Sequence, residues 1–165
     1  MATMIGMSLE RNRIVVVCTG NTCRSPMAEK LLAHALAAED PPLNRIEVVS
    51  AGVSAYPGEP ASDGAVRALA KVGLDLKGHR SRPFDPALAD KALLILAMRE
   101  SHRAYLKENH PDLQAPVLLF REPMGDPENA EVCDPFGGDF GRYLEARDSI
   151  AEAVPALIRH IRSLL

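Results

Sequence analysis

Four short apolar runs, rich in valine, isoleucine and leucine, recur along the chain. They occupy residues 13–18, 45–50, 91–97 and 117–120. Unbroken apolar runs of this length, with little polar alternation, are typical of strands that are buried on both faces of a sheet. The pattern therefore predicts four strands, of which those at residues 13–18 and 91–97 are buried.

Helical spacing follows the first two runs. Apolar residues recur at i, i+3, i+4 and i+7 after residue 25, and Ser25 and Pro26 suit an N-cap and a first helical position. A second helix is predicted to begin after Ser62, as its N-cap, and to end before Gly73.

Two further helices and a long loop complete the pattern. A helix over residues 100–108 should end before Pro111. Residues 121–138 contain several prolines and glycines and are predicted to form a long loop, a feature that is often functional. The last helix contains Pro155, which is expected to kink it or break one turn.

Strands and helices alternate throughout residues 13–165, which are predicted to form one domain preceded by a loose leader, residues 1–12. This order predicts an α/β fold of three layers: a doubly wound, four-stranded parallel sheet with helices on both faces. Ligands of such sheets bind at the carboxyl ends of the strands. The segment at that position on the first strand is residues 18–25.

Composition excludes several classes of protein. The 165 residues are 47% apolar and 25% charged, as in ordinary globular proteins. A net charge of −3 provides no broad positive field, so neither nucleic acid nor a membrane is an expected partner. Three cysteines are too few for a disulfide scaffold, and the start of the chain lacks the apolar stretch of a signal peptide, so a cytoplasmic location is expected.

The segment CTGNTCRS has the residues of a phosphate site. A loop between a buried strand and a helix can turn its N–H groups toward an anion, and Asn21 tolerates a positive φ. Arg24 can grip two phosphate oxygens, and the positive field favours a Cys18 thiolate placed for attack on phosphorus, to which Ser25 can donate a hydrogen bond. The residues expected to bind phosphate are Thr19, Gly20, Asn21, Thr22, Cys23 and Arg24.

Cleavage also needs a proton donor for the leaving group. Asp134, in the sequence DPFGG of the long loop, is the best candidate for this role. On local grounds a simple turn, with an Asx hydrogen bond, explains the same sequence equally well. No metal site or cofactor is expected, and the histidines without paired spacing are expected at the surface: His34, His102, His110 and His160.

Five segments resemble the low molecular weight protein tyrosine phosphatase family, in order and over nearly the whole chain. They are VVVCTGNTCRSPMAE at residues 15–29, SAGV at 50–53, GHRSRP at 78–83, LAM at 96–98 and DPFGG at 134–138. The resemblance implies a metal-free, two-step reaction through a phosphocysteine. It also implies that Cys18 is the nucleophile, Arg24 the phosphate clamp, Ser25 the stabiliser of the thiolate, and Asp134 the general acid and then the general base.

Other residues also match positions of the family. Asn21, Ser25, Ser50 and His79 match its network that shapes the phosphate loop, while Phe136 and, more loosely, Tyr56 match the aromatic walls of its substrate pocket. Cys23 is expected either to be a small buried residue or to be a resolving thiol that protects an oxidised Cys18 as a disulfide. Cys133 matches no functional position and is interpreted as a small loop residue.

The identity of residue 22 helps to distinguish between possible substrates. Tyrosine-specific members usually carry isoleucine there, whereas this chain resembles the bacterial protein-arginine phosphatase subgroup, in which a hydroxyl can bind a guanidinium. Phosphoarginine in proteins is therefore the predicted substrate, and phosphotyrosine is the alternative. Arsenate reduction is disfavoured, because residues 79–110 lack a further cysteine pair. A non-catalytic phosphate-binding or redox-sensing module is disfavoured, because binding alone needs neither a thiolate nor an acid, yet Cys18, Arg24, Ser25 and Asp134 are all present. The expected partners are phosphorylated proteins, and the expected state is a monomer.

Overall fold

The four predicted strands form one parallel sheet in the computed structural model, which describes residues 10–165. The strands are β1 (Arg13–Cys18), β2 (Glu47–Gly52), β3 (Ala92–Ala97) and β4 (Val117–Leu119). Their order across the sheet is β2-β1-β3-β4, and all three pairings are parallel. The nucleophile candidate Cys18 therefore ends one of the two central strands.

Helices cover both faces of the sheet, so the predicted doubly wound α/β fold is confirmed. The helices are α1 (Arg24–Ala37), α2 (Asp63–Ala70), α3 (Glu100–Asn109) and α4 (Phe140–Ser163). Alternate residues of β1 serve two cores: Ile14 and Val16 pack with α1, α2 and α4, whereas Val15 and Val17 pack with α3. A strand with an apolar core on each face has the unbroken apolar sequence from which β1 was predicted.

The strand boundaries differ slightly from those predicted. β2 begins at Glu47 rather than at residue 45, because Leu43–Arg45 forms a short 3-10 turn, and it continues to Gly52. β3 begins one residue later than predicted, and β4 ends one residue earlier. Within the predicted leader, residues 1–9 lie outside the described residues, while the Asn12 N–H donates to Lys91 O at 3.0 Å.

The N-cap predicted at Ser25 is wrong. Helix α1 begins at Arg24, its N-cap is Cys23, and Ser25 lies in its first turn. The Ser25 hydroxyl instead contacts the Cys18 Sγ, so a tertiary partner takes the group that the capping pattern assigned to the helix end. Ser62 is the N-cap of α2 as predicted, but its hydroxyl accepts no hydrogen bond from the helix and instead donates to Thr22 O.

Of the kink or break predicted at Pro155, the break does not occur, because α4 runs without interruption from Phe140 to Ser163. Proline removes the N–H that would bind the carbonyl four residues earlier, which here belongs to Ala151. Both Pro155 and Ala151 are exposed, so water can hydrate that carbonyl. Buried neighbours, Val154 and Ala156, keep the helix packed on the core.

The predicted long loop contains two short 3-10 turns, Glu122–Met124 and Pro127–Asn129. Its second half returns to the sheet, where the Val132 N–H donates to Met98 O at 2.9 Å just beyond β3. This contact places residues 131–138 beside the carboxyl ends of β1 and β3. Among residues 10–165, no helix has the length and apolarity required to span a bilayer.

Candidate active site

A cavity of about 180 Å³ lies where β1 meets α1. Two segments form it: the 18–25 loop and the 131–138 loop. The lining residues are Cys18, Thr19, Gly20, Thr22, Cys23, Arg24, Asp134 and Phe136. Residues predicted from two distant parts of the sequence therefore meet in one site.

The Cys18 thiol is buried and has a defined hydrogen-bond donor. Ser25 Oγ lies 3.0 Å from Cys18 Sγ and 2.8 Å from Asn21 Nδ2. Because an amide nitrogen can only donate, the Ser25 oxygen accepts from Asn21 and its own hydrogen is free for the sulfur. The arrangement therefore directs an O–H group at the sulfur.

Asn21 holds the shape of the 18–25 loop. Its φ of +57° is the left-handed conformation that asparagine tolerates. Besides Ser25, its amide nitrogen donates to Ser50 Oγ at 3.0 Å, and its Oδ1 accepts from Arg82 N at 3.0 Å. Its backbone carbonyl lies 2.7 Å from His79 Nε2, which must be the protonated ring nitrogen. The four residues of the predicted network are thus in contact.

Glu29 is a member of this network that the sequence analysis missed. Its Oε1 accepts from Ser50 Oγ at 2.8 Å. Since Ser50 donates to Glu29, its oxygen is left to accept from Asn21, and the direction of every hydrogen bond from Glu29 to Cys18 is set. Glu29 lies four residues after Ser25 on α1, and that spacing is the sequence signal that could have identified it.

Gly52 permits the close approach of β2 to the 18–25 loop. A Cβ at this position would lie 2.5 Å from Thr19 O and 3.0 Å from Asn21 N, distances that no side chain tolerates. The chain then continues along the loop, where Val53 N donates to Cys18 O and Ser54 N donates to Thr19 O, both at 2.9 Å. The two residues after β2 are thus hydrogen-bonded to the backbone of the 18–25 loop.

Arg24 is a buried cation with unused donor capacity. Its side chain is nearly inaccessible, Nη1 donates to Val132 O at 3.0 Å, and Nη2 lies 3.5 Å from Asp134 Oδ2. Its Nε is the only buried side-chain nitrogen or oxygen within residues 10–165 that lacks a hydrogen-bond partner. Buried guanidinium N–H groups are normally paired, so this group is expected to meet an anion in the cavity.

Asp134 lies at the mouth of the cavity, with 41% of its side chain exposed. Its Oδ1 accepts from the Phe136 N–H at 3.1 Å, which is the Asx turn that the sequence allowed. The turn leaves Oδ2 on the side of Arg24 and the cavity. The local and the chemical interpretations of DPFGG are therefore compatible, because the turn aims one carboxylate oxygen.

Thr22 and Cys23 face different surroundings. Thr22 is half-buried at the cavity, and the only hydrogen-bond contact of its hydroxyl in the described chain is Cys23 Sγ at 3.8 Å. Cys23 is buried, with Ser62 Oγ at 3.2 Å and Tyr143 OH at 3.7 Å. Burial raises the pKa of Tyr143, so its hydroxyl stays protonated and can donate to the sulfur.

His102 is not at the surface, contrary to the prediction. It is 3% exposed, and its Nε2 lies 2.8 Å from Thr19 Oγ1. Its Nδ1 accepts from Arg99 N at 3.1 Å. Burial, together with the charges of Arg24 and Arg99, lowers the pKa of His102 from 6.5 to about 4. His34 is exposed, and His110 and His160 are half-buried.

The two aromatic residues predicted at the pocket are both exposed. Phe136, 73% exposed, lines the cavity. Tyr56, 77% exposed, is not among the lining residues, and its backbone carbonyl accepts from the Ser81 hydroxyl. Cys133 is exposed and free beside Asp134.

Chemically, the cavity combines a nucleophile, a cationic clamp and a carboxylate. The buried thiol lies at its base, the guanidinium at its side and the carboxylate at its mouth. A tetrahedral oxyanion bound by Arg24 and the loop would bring its central atom to Cys18, with the substituent to be displaced facing Asp134.

The chain is similar in sequence to known proteins. Residues 13–164 match the family described as low molecular weight phosphotyrosine protein phosphatase. A protein-arginine-phosphatase of Bacillus subtilis is 37% identical over 149 residues, which are 90% of this chain and 96% of that protein. A probable low molecular weight protein-tyrosine-phosphatase, EpsP, of Ralstonia nicotianae is 35% identical over 151 residues, 92% of this chain and 97% of that protein.

The fold is also found among solved structures. The YwlE arginine phosphatase from Geobacillus stearothermophilus superposes with a TM-score of 0.80 at 34% sequence identity, and the match covers 92% of this chain and 94% of that one. Relatives named for two different phosphorylated residues are thus similar to this chain over nearly its whole length.

Proposed function

The chain belongs to the low molecular weight phosphotyrosine protein phosphatase family, and we propose that it hydrolyses phosphoarginine in proteins through a phosphocysteine intermediate. Phosphorylated proteins are its substrates. The three cysteines are free, which is consistent with action in the reducing cytoplasm.

The unpaired donor of Arg24 carries this proposal. A buried guanidinium with one N–H unsatisfied costs free energy unless an anion completes it. The same cavity contains Cys18, to which Ser25 donates, so a phosphoryl group bound by Arg24 would lie against a thiolate. A site that only bound phosphate would need the clamp but not the sulfur.

The reaction follows from these positions. The Cys18 thiolate attacks phosphorus, the P–N bond of phosphoarginine breaks, and Asp134 gives its proton to the departing guanidine nitrogen. In the second step Asp134 takes a proton from water, the water oxygen attacks phosphorus, and the P–S bond breaks. Inorganic phosphate and the Cys18 thiolate are released, and Asp134 has regained its proton.

Thr22 supports phosphoarginine as the substrate. Thr22 lines the cavity, and its hydroxyl has no closer hydrogen-bond partner in the described chain than the Cys23 sulfur, so it is free to accept from a guanidinium N–H. Phosphotyrosine is the second candidate. The exposed Phe136 ring at the cavity can pack against a tyrosine ring, and the EpsP relative is named as a tyrosine phosphatase.

Thr22→Ile tests this assignment. Both side chains are β-branched, so the backbone of the loop and the clamp should be preserved. Loss of the hydroxyl, with added apolar bulk, should lower kcat/KM for a phosphoarginine peptide by roughly 10–100-fold, while the value for a phosphotyrosine peptide holds or rises. Thr22→Ser is the matched control, because it retains the hydroxyl and should keep the preference of the unmodified enzyme.

The measurement is the ratio of kcat/KM on the two peptides for all three proteins. A preference for phosphotyrosine in the unmodified enzyme would establish the second candidate. If the ratio does not change in Thr22→Ile, Thr22 does not select the substrate. If the unmodified enzyme hydrolyses neither peptide nor p-nitrophenyl phosphate, the chain is not a phosphatase.

A further inference from the structure

We propose that His102 is a positioning residue, which fixes the 18–25 loop relative to the 131–138 loop through its hydrogen bond to Thr19. This inference rests on the proposed phosphatase function. His102 lies at the start of α3, outside the cavity, and touches neither Cys18 nor Asp134 through a hydrogen bond. It would act by setting the distance between Cys18 and Asp134.

The hydrogen bonds of His102 define one tautomer. Its Nδ1 accepts from the backbone N–H of Arg99, so Nδ1 carries no hydrogen. Its Nε2 must then carry the hydrogen and donate it to Thr19 Oγ1, 2.8 Å away. Because both ring nitrogens have partners and the ring is buried, the imidazole is fixed in direction as well as in place.

The turn that holds His102 also holds the 131–138 loop. Val132 N donates to Met98 O at 2.9 Å, and Glu100 N donates to Glu131 Oε2 at 2.7 Å. Arg99 Nε lies 3.6 Å from the other carboxylate oxygen of Glu131. Residues 98–100 are thus attached directly to the segment that leads into Asp134.

The same turn is attached to the chain on both sides of Cys18, once in β1 and once in the 18–25 loop. Met98 N donates to Val17 O at 3.1 Å, immediately before Cys18, and His102 reaches Thr19, immediately after it. The nucleophile is therefore held on both sides by the element that also anchors the acid. Without the contact to Thr19, only the strand side of Cys18 remains attached to this turn.

Two substitutions separate the two hydrogen bonds of His102. His102→Asn keeps an acceptor near the position of Nδ1, which serves the start of α3, but cannot reach Thr19. His102→Gln places an amide N–H near the position of Nε2, which can reach Thr19, and gives up the acceptor for Arg99 N. Thr19→Val removes the acceptor on the loop, and Thr19→Ser retains it.

The assay compares two aryl phosphates of similar size, phenyl phosphate and p-nitrophenyl phosphate. Phenolate needs a proton to depart, whereas p-nitrophenolate departs readily as an anion. If His102 sets the position of the acid, His102→Asn should lower kcat for phenyl phosphate by roughly 10–100-fold and that for p-nitrophenyl phosphate much less. Inhibition by inorganic phosphate should change little, because Arg24 and the loop amides remain.

The control variants complete the test. Thr19→Val should reproduce the result for His102→Asn, the double variant should add nothing, and His102→Gln and Thr19→Ser should recover most of the phenyl phosphate activity. Equal losses on both substrates that follow the Tm, with no recovery in His102→Gln, would overturn the inference alone. So would unchanged rates in His102→Asn. Absence of turnover by the unmodified enzyme would overturn the proposed function and this inference with it.

Discussion

The two loops that face the cavity are built differently. In the 18–25 loop the side chains that carry the chemistry are buried, and Asn21 alone makes four hydrogen bonds. In the 131–138 loop Asp134 and Phe136 are exposed, and the carboxylate has one hydrogen bond and one long ion pair. In the proposed mechanism, attack on phosphorus therefore takes place in a preorganised region, and departure of the leaving group in an open one.

The buried loop faces the part of the substrate that is always the same, the phosphoryl group, and the exposed loop faces the part that varies. Every phosphoryl substrate presents the same group of oxygens, so a saturated, buried loop can recognise it without rearrangement. The remainder of a protein substrate varies and has to enter and leave at the exposed side. Substitutions in the 18–25 loop should therefore affect all substrates, while those in the 131–138 loop should depend on the substrate.

The largest effect should follow from the loss of the nucleophile. Cys18→Ser should lower kcat by roughly 10⁴-fold or more, because a serine hydroxyl at this position stays protonated and is a poor nucleophile. The loss should be the same for every substrate, and the Tm and the affinity for inorganic phosphate should be retained. Single-turnover kinetics measure the loss of rate, and titration with phosphate measures the affinity. Substantial turnover in this variant would mean that another residue attacks phosphorus.

The next largest effect should come from the exposed loop. Asp134→Ala should lower the rate of phosphoenzyme formation by about 10²–10⁴-fold for a leaving group that needs a proton, and much less for p-nitrophenyl phosphate. Stability should hardly change, since the side chain is exposed. The dependence on the substrate is the property that contrasts with Cys18→Ser.

Asp134→Asn is the matched control for this prediction. An asparagine can still accept from the Phe136 N–H, and so keeps the turn, but it supplies no acidic proton. Equal losses in the alanine and asparagine variants would assign the effect to proton transfer. Activity that survives in the asparagine variant would show that the turn is the important feature and that another group is the acid.

A smaller effect should distinguish the two remaining cysteines. Cys23 is buried in the same cavity as Cys18, whereas Cys133 is exposed in the other loop. After mild peroxide treatment the enzyme should recover its activity with thiol, through a Cys18–Cys23 disulfide that peptide mass mapping detects. Cys23→Ser should abolish the recovery, and Cys133→Ser should preserve it. Equal recovery in the unmodified enzyme and in Cys23→Ser would reduce Cys23 to a packing role.

Much of the fold and of the 18–25 loop could be predicted because both depend on patterns of residues that are close together in sequence. The apolar runs place the strands within about two residues, and the glycine, asparagine, arginine and serine of the 18–25 loop follow directly after β1. The fold class and the family were predicted on these features. Such features involve residues that are close together in sequence, so they can be recognised from one sequence alone.

The errors come from partners that are distant in sequence. Ser25 was predicted both as a helix cap and as a donor to the Cys18 sulfur, and the folded loop keeps only the second role. His102 has no local signal for burial, since its partner Thr19 is 83 positions away and on a different element. The contact between Glu29 and Ser50 likewise joins a helix to a strand. Whether a polar side chain is buried depends on such tertiary hydrogen bonds, which the periodicity of the sequence does not show.

The smallest expected effect concerns the pH dependence of stability, and it arises where the two loops meet. The pKa of His102 is lowered by burial and by Arg24 and Arg99, while Asp134 and Glu131 oppose the shift. An unfolded chain therefore binds a proton on His102 at a pH where the folded chain does not. Stability should rise with pH between about 4 and 6.5, and fall as the pH is lowered through that range.

The size of this effect is limited by the difference between the two pKa values, 6.5 and about 4, which corresponds to no more than about 3–4 kcal/mol of unfolding free energy. Urea unfolding of the unmodified protein and of His102→Asn between pH 4.5 and 7 measures it, because subtraction removes the carboxylates common to both. The difference between the two curves should be steepest near pH 5 to 6 and level above pH 7. A difference that does not vary with pH would mean that His102 titrates normally in the folded protein, and that the buried loop is held without a neutral imidazole at its edge.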